Sequence, residues 1–221
     1  MKSLGYEFKN KKLLNLALTH SSYGNEKHCE CNERLEFLGD SVLSVIISDY
    51  LFSNMPSVKE GDLSKIRSSL VCEQSLAEFA KKLKIGENLF LGKGEELCGG
   101  RERASILSDA FEAVLAAIYL DSDIETAREW LLKLMDKTLK LALEGKTYHD
   151  CKTMLQEEVQ KYGGKVTYRV ISETGPDHHK DFVVEALVND KKKAIGKGMS
   201  KKDAEQDAAK NALAGMGYEI L

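Results

Sequence analysis

From Glu33 to about Tyr50, apolar side chains return every three or four positions. Leu35, Leu38, Val42, Val45 and Ile46 carry that rhythm, which predicts a helix burying one stripe, with Asn32 as its N-cap. Upstream, Leu13, Leu14, Leu16, Ala17 and Leu18 predict a shorter amphipathic helix ending near Thr19-His20-Ser21-Ser22. His20 fits a core or capping role better than a catalytic one. The polar segment Tyr23–Cys31 shows no period and reads as a loop. Gly61-Asp62-Leu63-Ser64 opens a helix with Ile66, Leu70 and Val71 inside, and another covers about Glu73–Leu83. The glycines between Leu91 and Gly100 lack the spacing and the terminal Lys-Ser/Thr of a phosphate loop. From Ser105, a plausible N-cap, to about Leu120, Ile106, Leu107, Ala110, Val114, Leu115, Ala117 and Ile118 leave little polar surface, so this helix is buried over most of its girth. Trp130–Leu143 is again amphipathic.

After a short polar linker the rhythm changes. Met154, Leu155, Val159 and Tyr162 mark a helix stopped by Gly163-Gly164. Lys165–Ile171 and Asp181–Val188 alternate as strands around a turn at Gly175-Pro176, and Ala194–Met199 makes a third after a lysine-rich turn. Ser200 caps a last helix with Ala204, Ala208, Ala209, Ala212 and Leu213 inside. The expected architecture is an all-α domain over residues 1–145, a linker at 146–150 and a small α+β domain, α-β-β-β-α, over 151–221.

Composition alters this picture little. The 221 residues suffice for a sizeable core, and a net charge of −3 neither predicts nor excludes a nucleic-acid partner. No segment is long and apolar enough to cross a membrane. Five scattered cysteines predict free thiols in a reducing compartment, hence a cytoplasmic protein. His28-Cys29-Glu30-Cys31 lacks a second cluster with zinc-site spacing, so ordinary loop residues are the expectation.

The acids matter more. Glu36 and Asp40 stand four apart on one helix face, where like charges repel. Glu33, one turn earlier, is explained by the helix dipole alone. Asp109 and Glu112, three apart, share a face of the apolar helix. Buried carboxylates are costly unless paired or metal-bound. Two explanations stay open: each pair is satisfied by Arg or Lys, or the two pairs face each other as an oxygen cage for Mg²⁺, with Mn²⁺ able to substitute.

Asn32-Glu-Arg-Leu-Glu-Phe-Leu-Gly-Asp-Ser-Val-Leu43 resembles the signature stretch of the ribonuclease III endonuclease domain. Gly61-Asp-Leu-Ser-Lys-Ile-Arg67 and Ser108-Asp-Ala-Phe-Glu-Ala113 fall where that family has further motifs. The resemblance implies a helical homodimer with one acidic site per subunit in a valley holding duplex RNA. Glu36, Asp40, Asp109 and Glu112 then match the family's metal-binding carboxylates, with Asp40 and Glu112 the catalytic pair. Glu33 matches its signature acid, more often structural, and Glu60 an acid of lesser importance.

The C-terminal helix begins unusually, with Lys201 and Lys202 in a first turn that disfavours cations. An RNA phosphate resolves this, because it takes both ammonium groups and the free N–H groups; a solvated pair is the alternative. Thr153, Gln156, Glu157 and Gln160 share one helix side, as groups suited to ribose 2′-hydroxyls, and His178 lies in a polar loop able to reach a minor groove. The order of elements, with Gly-Pro-x-His and Lys-Lys-x-Ala-Glu in place, resembles a double-stranded-RNA-binding domain. Together the halves imply metal-assisted hydrolysis of duplex RNA to 5′-phosphate and 3′-hydroxyl ends with short 3′ overhangs, serving rRNA and mRNA processing.

Overall fold

Helix α8 (Ala104–Asp121) is the centre about which the first unit is built. Its side chains from Ile106 to Ala110 and from Ala113 to Ile118, apart from Asp109 and Glu112, are buried. Helix α3 (Glu33–Asn54) covers one side with Leu35, Leu43, Ile46 and Ile47, and α5 (Glu73–Lys82) another with Leu76, Phe79 and Ala80. Phe111 stacks at 6.2 Å from Phe79 and 5.8 Å from Trp130 of α9 (Ile124–Leu143), whose indole N–H donates to the Leu4 carbonyl at 2.7 Å. The computed structural model describes residues 2–144, 151–175 and 180–218, in two compact units, Met1–Lys140 and Leu141–Leu221.

The contact between α3 and α8 depends on Gly39. A Cβ there would run into the backbone carbonyl of Glu112, so only glycine permits this approach. That outweighs the roughly 1 kcal/mol that glycine costs a helix relative to alanine.

Around this centre lie α1 (Lys11–Ala17), α2 (Ser21–Lys27), α4 (Glu60–Leu70), α6 (Ile85–Asn88) and α7 (Lys93–Leu97). Several local expectations need correction. The segment expected as a loop contains α2, which escapes periodicity because Gly24 is its one buried residue. His20 starts it by capping, and Tyr23 braces it against Phe90 at 5.6 Å. Asn32 precedes α3 without capping it. Its side chain is buried and donates to the Ala17 carbonyl at 3.3 Å, while its backbone N–H donates to Thr19 at 2.8 Å. Ser105 lies inside α8, and Arg103 holds the N-cap position without a side-chain bond. Val45 belongs to the outer face of α3 and is 58% exposed.

In the second unit, α10 (Cys151–Gln160) and α11 (Lys201–Ala214) pack over an antiparallel sheet in the order β1 (Val166–Thr174), β2 (Asp181–Val188), β3 (Lys191–Gly198). Leu155, Val159, Phe182, Val184, Ala208 and Leu213 are among its core residues. The alanines of α11 let its backbone lie close on β3, where a Cβ at Gly196 would meet the Ala208 nitrogen. The β2–β3 turn is Asn189-Asp190, both with positive φ (52° and 59°), as a tight hairpin demands. The three lysines expected to form that turn are the first residues of β3.

Candidate active site

Glu36 and Asp40 project from successive turns of α3, and Asp109 and Glu112 from successive turns of α8. Because Gly39 brings the two backbones together, these acids meet across the helix seam. Their electrostatics show it. Burial pushes the Glu112 carboxyl up to about 8, aided by the charges of Asp40, Asp109 and Glu36 in that order. Burial likewise raises Glu36, with Asp109, Glu33 and Asp40 adding to it. Asp109 is raised by burial, against the opposing effects of the Ser108 hydroxyl at 3.3 Å and the charge of His20.

The charges acting on Glu36 and Glu112 are all carboxylates. Acid pairs each neutralised by Arg or Lys are therefore not the arrangement found. Like charges crowded in a half-buried place call for a cation, and an all-oxygen donor set suits Mg²⁺ or Mn²⁺. Among the described residues, no three acidic, His or Cys side chains stand at coordinating distance from one point. The carboxylates stand apart, as mutual repulsion requires. An ion that retains several waters needs only one or two of them directly.

Glu33 is exposed in the first turn of α3, where it adds to the charge on Glu36. Glu60 is remote from this chemistry. It is exposed at the start of α4, accepts from the Ser64 hydroxyl at 2.8 Å, and lines a recess with Ser48, Phe52 and Arg67. His20, expected to be a core or capping residue, caps α2 through Nδ1, which accepts from the Ser22 N–H at 3.3 Å. Its influence on Asp109 was hidden in the sequence, since nothing in the spacing of residues 20 and 109 pairs them.

In the second unit, Thr153, Gln156, Glu157 and Gln160 are exposed along α10. Lys201 and Lys202 are exposed in the first turn of α11, and Ser200 caps that helix by accepting from Asp203 N–H at 3.1 Å. The Lys201 ammonium stands 5.8 Å from the centre of the Phe182 ring. His178 and the expected linker at 146–150 lie outside the described residues.

Comparison with known proteins agrees with both halves. Residues 10–139 match the family described as Ribonuclease-III-like, and residues 151–216 match the double-stranded RNA binding motif. Ribonuclease 3 of Caldanaerobacter subterraneus is 52% identical over 217 residues, covering 97% of this chain and 95% of the relative. Ribonuclease 3 of Clostridium perfringens is 47% identical, covering 98% and 92%. Among solved structures, the nuclease domain of ribonuclease III from Campylobacter jejuni, described with a flexible region involved in dimer formation, superposes with a TM-score of 0.59 at 48% identity. It covers 62% of this chain and 93% of that one.

Proposed function

The chain belongs to the ribonuclease III family, and from that we propose an endoribonuclease that cuts double-stranded RNA at the acidic seam between α3 and α8. The observation that carries the site assignment is the convergence of four carboxylates from two helices with one another as their charged neighbours. Glu36, Asp40, Asp109 and Glu112 would hold Mg²⁺, with Mn²⁺ able to replace it, and Asp40 and Glu112 would lie nearest the chemistry. The bound ion would supply a more acidic water and stabilise charge on the phosphate and the departing 3′ oxygen. The products would carry 5′-phosphate and 3′-hydroxyl ends. The chain's part is to hold the acids against their repulsion and to present the duplex.

Presentation falls to the second domain, proposed to run over 151–221 after a linker at 146–150 that follows a nuclease domain at 1–145. Lys201 and Lys202 at the N-terminus of α11 suit a phosphate, and the exposed α10 residues suit 2′-hydroxyls across the shallow groove of an A-form helix. His178 is proposed to enter a minor groove. Such contacts read shape rather than sequence.

Two copies would assemble through α3. Phe37, Val45 and Phe52 are 78%, 58% and 74% exposed on one side of that helix, too much apolar surface for water-facing positions. A two-fold pairing covers both copies' patches at once and sets two sites on one duplex, which accounts for short 3′ overhangs. Among the described residues no helix is long and apolar enough to cross a membrane. A cytoplasmic role in rRNA and mRNA processing fits this reading.

The experiment is cleavage of a long RNA duplex by the full chain with Mg²⁺, with Ca²⁺ and with chelator. Mg²⁺-dependent cutting is expected. Binding of the duplex without cutting under every condition would overturn the nuclease proposal.

A further inference from the structure

His20 lies outside the four carboxylates, yet its surroundings give it a defined state and direction. The backbone N–H of Ser22 donates to Nδ1 at 3.3 Å, so Nδ1 must offer a lone pair. The Ser22 hydroxyl lies 2.9 Å from the same nitrogen, and its oxygen already accepts from the Gly92 N–H at 2.9 Å, which leaves the hydroxyl hydrogen for Nδ1. A neutral ring held this way carries its hydrogen on Nε2.

The ring's seat is equally fixed. His20 N–H donates to the Phe90 carbonyl at 3.1 Å, and the neighbouring Thr19 carbonyl accepts from Asn32 N–H at 2.8 Å. Asn32 is the residue from which α3 starts, one turn before Glu36. Glu36 in turn feels Asp109 as its foremost charged neighbour. The segment bearing His20 is thus stitched to the Glu36–Asp109 end of the acidic seam. Asp109 has the Ser108 hydroxyl on Oδ1 at 3.3 Å and takes a charge effect from His20 without a direct hydrogen bond to it. A polar pair beyond direct reach is commonly joined by one water.

We propose that His20 is a positioning residue for the acidic site, its Nε2–H orienting the Asp109 carboxylate through one water while its Nδ1 caps α2. This rests on the reading of the carboxylates as the metal site. Outer hydrogen bonds of this kind fix the angle at which a ligand meets its ion, and their loss typically weakens metal affinity about 10–100-fold.

The two nitrogens have separate jobs, so two substitutions divide them. His20→Asn keeps an oxygen where Nδ1 accepts from Ser22, preserving the cap, but does not reach as far as Nε2. His20→Gln places its amide near Nε2 and abandons the cap. Mn²⁺ binding to the full chain without RNA is measured by calorimetry, beside thermal unfolding of each metal-free variant and of Asp109→Asn. The inference expects H20N to unfold close to wild type yet bind Mn²⁺ about 10–100-fold more weakly. H20Q should melt earlier and bind within a few-fold of wild type. Unaltered Mn²⁺ binding in H20N, with the expected loss in D109N, overturns the inference alone. Equal Mn²⁺ binding by wild type and D109N overturns the metal reading and the inference together.

Discussion

Gly39 of α3 faces the backbone of Glu112 on α8 so closely that a Cβ would overlap the Glu112 carbonyl oxygen. One residue without a side chain therefore sets the spacing of both acid pairs. Gly39→Ala should destabilise the protein by about 1–2 kcal/mol, because overpacking of roughly 1–3 kcal/mol exceeds the gain of about 1 kcal/mol in helix propensity. Cleavage should fall more than stability explains, since α8 carries Asp109 and Glu112 with it. Urea unfolding and the rate at saturating Mg²⁺ check the two effects, and a stabilised G39A variant would refute the claim.

The raised Glu112 carboxyl gives the metal-free protein an unusual pH response. An acid raised from 4.5 to about 8 binds its proton more tightly folded than unfolded. Its contribution to stability therefore declines as pH rises from the unfolded value to the folded one, and the full penalty of the charged form is present above that. Stability measured in chelator should drop across this window in wild type, and much less in Glu112→Gln. Mg²⁺ should reverse the loss in wild type alone.

Metal affinity should also climb with pH, because the ion displaces the proton on Glu112. The Mg²⁺ concentration for half-maximal cleavage should fall as pH approaches about 8, and level off beyond it. A half-maximal concentration independent of pH between 6 and 8.5 would count against Glu112 as a ligand. These two pH values are on the order of the window defined by the carboxyl's shift.

The exposed aromatics of α3 make the assembly testable. Phe37→Ser with Phe52→Ser removes apolar surface that is 78% and 74% exposed, so a lone chain should fold as before. Sedimentation should then show a monomer where wild type is a dimer. A double variant that still sediments as a dimer would exclude this face as the interface.

At α11, Lys201→Ala and Lys202→Ala should each weaken duplex RNA binding at all sequences alike. Each should reduce the slope of log affinity against log salt by about 1, as expected for one lost phosphate contact. Binding titrations at several salt concentrations, with RNA and DNA duplexes side by side, check this. An unchanged slope would identify the lysines as solvated residues.

Long elements with a strong rhythm were determined by the sequence itself. The girdle of α8, the stripe of α3 and the five elements of the second domain follow from where apolar side chains must go. So does the candidacy of Glu36, Asp40, Asp109 and Glu112, because an acid that repels its neighbour within an apolar-patterned helix has no local explanation. Short or weakly patterned pieces had to await the fold. Helix α2 buries one glycine, so its stability comes from the His20 cap and the contact with Phe90 rather than from any period. Asn32 bonds to α1 instead of capping α3, a choice made by a neighbour twelve or more residues away. Val45 fits the apolar rhythm of a core stripe yet faces outward, since the rhythm records that a surface is covered and not by which chain. Above all, spacing pairs acids within a helix, but only tertiary packing pairs Asp40 with Glu112 and sets His20 beside Asp109. Contacts between distant segments depend on which surfaces close upon each other, and no local pattern encodes that.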